Sequence, residues 1–155
     1  MSSPDPFAEP LPATFVVGID LGTTNSAVCF VDTRDSKWQA QVLDIPQLVA
    51  PSQVESRDTL PSFHYQPTSA ELQPQALQLP WSAKADKQTS ANYAVGFYAS
   101  DYGASAPGRL IASAKSWLCH PGVDRTADLL PWNAAEDVEK ISPVEASSRY
   151  LAHKQ

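Results

Sequence analysis

The sequence is short of glycine, cysteine and positive charge, and it has no long apolar run. Six glycines stand against fourteen prolines in 155 residues, so long extended connections between short elements are expected. Two cysteines, Cys29 and Cys119, build no disulfide framework and read as reduced thiols of a cytosolic protein. Eleven basic residues face seventeen acidic ones, a formal charge of −6. Such a surface repels phosphate backbones, which argues against broad binding of nucleic acid or anionic membranes. It leaves a nucleotide open, because local backbone amides and a metal ion can offset the charge. No stretch approaches the ~20 apolar residues of a membrane helix. Residues 1–12 carry no basic residue and no apolar core, so they are no secretory signal and read as a floppy Ser/Pro-rich leader. What remains, 43% hydrophobic and 18% charged, suits one soluble domain with a real core.

The apolar run Phe15-Val16-Val17-Gly18-Ile19 reads as a buried strand. A polar turn follows, then a second strand at Ala27-Val28-Cys29-Phe30-Val31 and a third within residues 38–45, carried by Val42, Leu43 and Ile45. The short links between them predict an antiparallel meander, since a parallel crossover needs a dozen residues or more. Residues 46–59 read as loop. Leu60-Pro61-Ser62-Phe63-His64-Tyr65 reads as a short strand with its proline at the start or edge. Residues 67–90 read as a long surface excursion, and Tyr93-Ala94-Val95-Gly96 as another short strand. Leu110, Ile111, Ala114, Trp117 and Leu118 recur at helical spacing and predict a helix over residues 109–119, ended by Pro121-Gly122. Residues 122–140 are acidic and loop-rich. Ser142-Pro143-Val144-Glu145 is a capping box with proline at the first helical position, and Val144, Ser148 and Leu151 share one side of the helix it opens.

The turn after the first strand carries the chemistry. An aspartate ending a buried strand is costly unless a cation faces it. Gly22 permits a tight turn and close approach by a ligand. Thr23, Thr24, Asn25 and Ser26 then set hydroxyl and amide donors in succession, which can wrap phosphate oxygens. Asp20 beside a phosphate makes sense if Mg²⁺, through its waters, lies between them. An ordinary polar hairpin with an Asx-type turn accounts for the same residues.

Gly18-Ile19-Asp20-Leu21-Gly22-Thr23-Thr24-Asn25-Ser26 resembles the first phosphate-binding signature of the DnaK-like heat-shock protein 70 chaperones, within the wider actin and sugar-kinase superfamily. The Thr-Asn-Ser ending favours the chaperone branch. Fainter similarities follow in order at Leu60-Pro61-Ser62, Val95-Gly96, Ala114-Lys115-Ser116-Trp117-Leu118 and Ile141-Ser142-Pro143-Val144-Glu145. The resemblance runs from about residue 15 to 151, and only its first motif is specific. The length of residues 67–90 and the Ser116-Trp117 pair depart from the family pattern and suggest a divergent branch.

The resemblance implies an α/β fold of the actin-like, ribonuclease-H-like type. The first sheet of the lower subdomain would occupy residues 13–60, the upper subdomain 61–141, and the next lower-subdomain helix would start at 142–155. It implies an ATPase that binds Mg·ATP or Mg·ADP between two lobes and couples slow hydrolysis to the folding of client polypeptides. Gly22, Thr23, Thr24 and Asn25 would hold phosphates, Asp20 would orient water on Mg²⁺, and Lys115 would position the attacking water and stabilise transferring charge. Partners would be unfolded polypeptides, a J-domain co-chaperone and a nucleotide-exchange factor. The second phosphate loop, the adenosine-contacting segment and the client-binding domain would lie beyond Gln155, so the chain reads as an amino-terminal fragment, inactive alone. A sugar-kinase-like phosphotransferase and a non-catalytic pseudo-ATPase scaffold are the rival readings.

Other candidates are weaker. Residues 103–110 resemble a P-loop without its lysine and read as a helix-breaking turn. Cys119-His120, with His64 and His153, lacks metal-ligand spacing, and these read as loop and surface residues. Trp38, Trp81, Trp117 and Trp132 are too dispersed to make a stacking platform, so packing is their expected role.

Overall fold

The structure is a computed structural model and describes residues 12–68, 76–77, 79 and 92–153. The expected leader and most of the 67–90 excursion therefore lie outside the described residues. The described chain is mixed α and β, with small antiparallel sheets and three short α-helices.

The predicted meander forms. Strand β1, Phe15–Leu21, pairs along its full length with β2, Asn25–Asp32. The short β3, Gln41–Val42, lies on the other edge of β2 against Cys29 and Phe30. Further along that same edge, β6, Leu60–Pro61, pairs with Asn25 and Ser26. The third strand is thus two residues rather than eight, because Ile45 already belongs to the next element.

Residues 46–59, expected as loop, contain a hairpin instead. Strands β4, Ile45–Ala50, and β5, Gln53–Arg57, pair antiparallel. Pro51 and Ser52 connect them, with Ser52 at φ 60°. Proline followed by a residue of positive φ is type II turn chemistry, here with serine where glycine is usual. Pro46 is tolerated because a two-stranded sheet consists only of edges. The Gln47 side chain, fully buried, donates to the Thr59 carbonyl at 2.8 Å and accepts from the Phe97 amide at 2.9 Å. It thereby fixes the hairpin to the start of α1, Phe97–Gly103.

The chain leaves the first sheet at Ser62 and enters a second. There β7, Phe63–Tyr65, is flanked by β8, Ala94–Val95, and β9, Leu110–Ala112. The helix expected over residues 109–119 is therefore split. Pro107–Arg109 is a 3₁₀ turn, Leu110 to Ala112 pair with β7, Ser113 takes a left-handed conformation (φ 57°), and only α2, Ala114–Leu118, is helical. Pairing to a waiting strand edge has overridden the helical spacing of Leu110 and Ile111.

Helix α3, Pro143–Ala152, starts as expected, with Ser142 Oγ accepting from the Glu145 amide at 3.0 Å. Its burial differs from the expectation. Val144, Ser148 and Leu151 face solvent, while Pro143, Ala146, Ser147 and Tyr150 face the core. No helix among the described residues is long and apolar enough to cross a membrane.

The main core gathers Val95, Ile111, Ala114, Leu130, Ile141, Ala146 and Tyr150, with Leu21 and Trp117 at its margin. A second cluster joins Leu48, Tyr65, Leu77, Ala94, Tyr98 and Ala99, so at least Leu77 of the expected surface excursion is core. The third cluster is small: Val28, Ile45 and Leu60 cover one face of β2. That cover does not extend to β1. Phe15, Val16, Val17 and Ile19 are 47–58% exposed, which corrects the expectation of a buried strand. Among the described residues β1 has one strand neighbour and a free edge, so its apolar sequence is unmatched by packing.

His64, expected at the surface, is instead buried on β7. It stacks on Tyr93 at 4.9 Å, and its Nε2 lies 2.8 Å from Arg149 Nη1. Arginine can only donate, so Nε2 accepts and the ring is neutral with its proton on Nδ1. Burial, and then the Arg149 charge, lower its pKa from 6.5 to about 3.

Two outcomes follow from this packing. A histidine held neutral contributes stability that is complete above pH 6.5 and is lost as pH falls toward 3. Chemical denaturation between pH 6.5 and 4.5 should show a slope approaching one proton, about 1.4 kcal/mol per pH unit, and His64→Gln should flatten it. For β1, Val17→Lys should leave the unfolding midpoint nearly unchanged and reduce both self-association and binding of an apolar fluorescent dye. Unchanged dye binding would mean that the apolar surface lies elsewhere.

Candidate functional site

The β1–β2 register ends at Leu21 opposite Ser26, so residues 22–25 must reverse the chain in four residues. A Cβ at Gly22 would collide with the Asn25 carbonyl oxygen. Glycine is therefore required by close backbone approach across the turn rather than by positive φ. Thr23, Thr24 and Asn25 are exposed, as is Asp20 at the end of β1.

Ser62, from β6's end of the chain, holds the turn from beneath. Its amide donates to the Thr24 carbonyl at 2.8 Å, and its hydroxyl donates to the Gly22 carbonyl at 2.8 Å. The Ser26 hydroxyl lies 2.9 Å from the Ser62 hydroxyl. Because the single Ser62 hydroxyl proton goes to Gly22, Ser26 must donate to Ser62. Ser26 and Ser62 are both buried. Ser26, expected among the ligand-facing donors, is thus withdrawn from that set and belongs to the support. The buried pair was not legible in the sequence, because 36 residues separate the two serines and no local pattern links them.

The outward side of the turn presents Thr23, Thr24 and Asn25, flanked by Asp20. This set offers hydroxyl and amide donors and one carboxylate. Asp20 could add one water-mediated contact to a cation already carried by a phosphate. Among the described residues no group of three His, Cys, Asp or Glu side chains is placed to hold a metal.

Lys115 is half-buried on α2 and, among the described residues, makes no hydrogen bond or ion pair. The same cluster that holds Ala114 and Trp117 of α2 also receives Leu21, the residue between Asp20 and Gly22. Leu21 and α2 thus border the same core cluster, and among the described residues no hydrogen bond or ion pair joins Lys115 to residues 22–25.

The remaining candidates find structural roles. Residues 103–110 turn the chain from α1 through the 3₁₀ turn into β9, as expected of a helix-breaking segment. Cys29 and Cys119 are free thiols. His120 Nδ1 accepts from the Gly122 amide, and His153 Nε2 lies 3.0 Å from the Pro46 carbonyl oxygen. The tryptophans depart from the expected packing in two respects: Trp38 is exposed, and two of the others stack on each other. Trp117 and Trp132 stack at 5.2 Å with planes 17° apart, beside a cleft of about 430 Å³ lined also by Pro107, Leu110, Ile111 and Pro131. Trp81 lies outside the described residues.

The turn's geometry gives a stability test. Gly22→Ala should cost about 1–3 kcal/mol through forced backbone displacement and shift the amide resonances of residues 22–26 in the two-dimensional spectrum. Gly18→Ala, whose Cβ would sit 3.0 Å from Cys29 Sγ, should cost less, because a side chain rather than backbone must yield. Comparison with known proteins returned no match: no protein-family model, no curated protein and no solved structure matches this chain.

Proposed function

We propose that this chain is the amino-terminal part of a DnaK-like chaperone ATPase and that residues 20–25 form one wall of its Mg·ATP site. In this reading the fold is a portion of the actin-like, ribonuclease-H-like ATPase lobe. The observation that carries the reading is the solvent-facing strand–turn–strand formed by the nine-residue Gly18-to-Ser26 motif. Its Thr23, Thr24 and Asn25 point to solvent, while the carbonyls of Gly22 and Thr24 are bound from behind by Ser62. A turn with two of its carbonyls occupied from behind, and with exposed hydroxyl and amide side chains, suits a ligand that accepts hydrogen bonds, as phosphate oxygens do.

Within the reading, Thr23, Thr24 and Asn25 bind phosphate oxygens and Asp20 orients a water of a phosphate-bound Mg²⁺. Lys115 stabilises charge on the transferring phosphoryl group when the lobes close. Mg²⁺ supplies charge neutralisation between phosphates when bound. ATP and ADP are the nucleotides. Client polypeptides, a J-domain co-chaperone and an exchange factor are the partners of the longer polypeptide that the reading implies.

Calorimetric titration with Mg·ATP tests the reading on the chain itself. One wall leaves adenine and ribose in solvent, so binding should be weaker than about 1 μM, or −8 kcal/mol, with no turnover above background. Asp20→Asn should shrink the difference in affinity measured with and without Mg²⁺. An Mg²⁺ effect identical in wild type and variant would contradict the assignment of Asp20. In the longer polypeptide, Lys115→Ala should slow single-turnover hydrolysis while ATP binding survives. A change in stability alone would return Lys115 to packing beside the core.

A further inference from the structure

A turn can offer its donors to a phosphate only if its carbonyls do not face the same ligand. A four-residue reversal has carbonyl groups alternating with its amides, and any carbonyl aimed at a phosphate would repel it. In this fold two of those carbonyls, of Gly22 and Thr24, are both taken up by Ser62 through its hydroxyl and its amide, each at 2.8 Å. The bonds come from a residue 38 to 40 positions away, on the strand edge that β6 contributes to β2. Ser26 donates to the Ser62 hydroxyl at 2.9 Å, which orients that hydroxyl's own proton toward Gly22. Ser62 is 1% exposed, so it cannot itself touch a ligand over the turn.

We propose that Ser62 is a positioning residue that fixes the polarity of the phosphate-facing turn, using its hydroxyl to hold the Gly22 carbonyl inward, with Ser26 as the donor that orients it. The inference rests on the phosphate reading of residues 20–25 and adds to it the residue that selects for an acceptor-only ligand. The chemistry requires a donor at position 62 small enough for a buried site. The Ser62 amide bond to Thr24 is independent of side chain, so substitution removes the Gly22 contact and leaves the strand pairing in place. Ser62→Ala removes the donor, and Ser62→Cys replaces it with a weaker one of similar size. Ser26→Ala removes the orienting donor but leaves the Ser62–Gly22 bond possible.

The test is titration of the 155-residue chain with inorganic tripolyphosphate, without metal, followed by phosphorus resonance shifts. Unfolding midpoints and amide exchange of residues 23–25 are measured on the same samples. Wild type should bind in the millimolar range. Affinity should fall in the order Ser, Cys, Ala at position 62, by about tenfold for Ser62→Ala, the equivalent of one lost buried hydrogen bond. Ser26→Ala should lose stability comparably but affinity less than about threefold, a separation that a purely structural role would not produce. Exchange at residues 23–25 should quicken in Ser62→Ala while the β7–β9 amides stay protected.

Wild-type affinity in Ser62→Ala, or affinity that follows stability across all three variants, would overturn the proposal and leave the phosphate reading standing. If Ser62→Ala does not fold, Ser62→Cys decides by the same criterion: an affinity equal to wild type overturns the proposal. No response of the wild-type chain to tripolyphosphate would overturn the phosphate reading, and this inference with it.

Discussion

Ser62 is where the fold's three local structures meet. Its amide and hydroxyl bind the β1–β2 turn. The two residues before it pair with β2, and the three after it form the central strand of the second sheet. A chain that changes sheets within one residue cannot slip in register on one side without moving the other, so the turn's geometry is tied to the better-packed half of the molecule. Leu60, fully buried beside it, packs with Val28 and Ile45 and reaches toward Gly96, where a Cβ would approach Leu60 Cδ1 at 2.5 Å and Gln47 Oε1 at 2.8 Å. Gly96 sits at φ 86°, a conformation that only glycine adopts without strain. The turn, the hairpin β4–β5 and the start of α1 are therefore linked through a few contacts of Ser62, Leu60 and Gln47, joined between hairpin and helix by the apolar packing of Leu48, Tyr98 and Ala99.

That economy has a counterpart in the uneven distribution of packing. The core around Ile111, Ala114, Ala146 and Tyr150 is well enclosed, and Arg149 is held by Glu145, His64 and the face of Tyr93. The first sheet is enclosed only over β2 and β6. Its outer strand carries an apolar sequence suited to burial on two faces while standing exposed on both. Within the proposed function this is the surface on which the rest of an ATPase lobe would rest. Within that proposal, the same absence of a facing wall would make a nucleotide bind weakly to the turn alone.

Much of the local structure was legible. The hairpin of β1 and β2 follows from two β-branched runs around a glycine-containing polar turn. The start of α3 follows from Ser142, Pro143 and Glu145, whose capping chemistry acts within four residues. What escaped the sequence was decided at long range. Leu110 and Ile111 sit at helical spacing but pair with β7. The stripe of Val144 and Leu151 looks as much like a core face as the true one at Ala146 and Tyr150. His64 gives no local sign of burial, since its environment is assembled from Tyr93 and Arg149. The candidate site divides the same way. Asp20, Gly22 and the donors Thr23, Thr24 and Asn25 stand out by their order in the chain. The role of Ser62, and the transfer of Ser26 from ligand donor to support, depend on a strand pairing that no local pattern announces.

The central claim is that residues 22–25 form a donor surface for phosphate, and it can be tested by mapping where Mg·ATP touches the chain. In amide resonance spectra of the ¹⁵N-labelled 155-residue protein titrated with Mg·ATP, the account predicts that the largest shifts fall on Gly22, Thr23, Thr24 and Asn25. Smaller shifts should reach Asp20 and Ser62, with the same pattern for Mg·ADP and none for adenosine. Shifts centred on the cleft beside Trp117 and Trp132, or equal shifts with adenosine, would place recognition on the base instead of the phosphates and contradict the account.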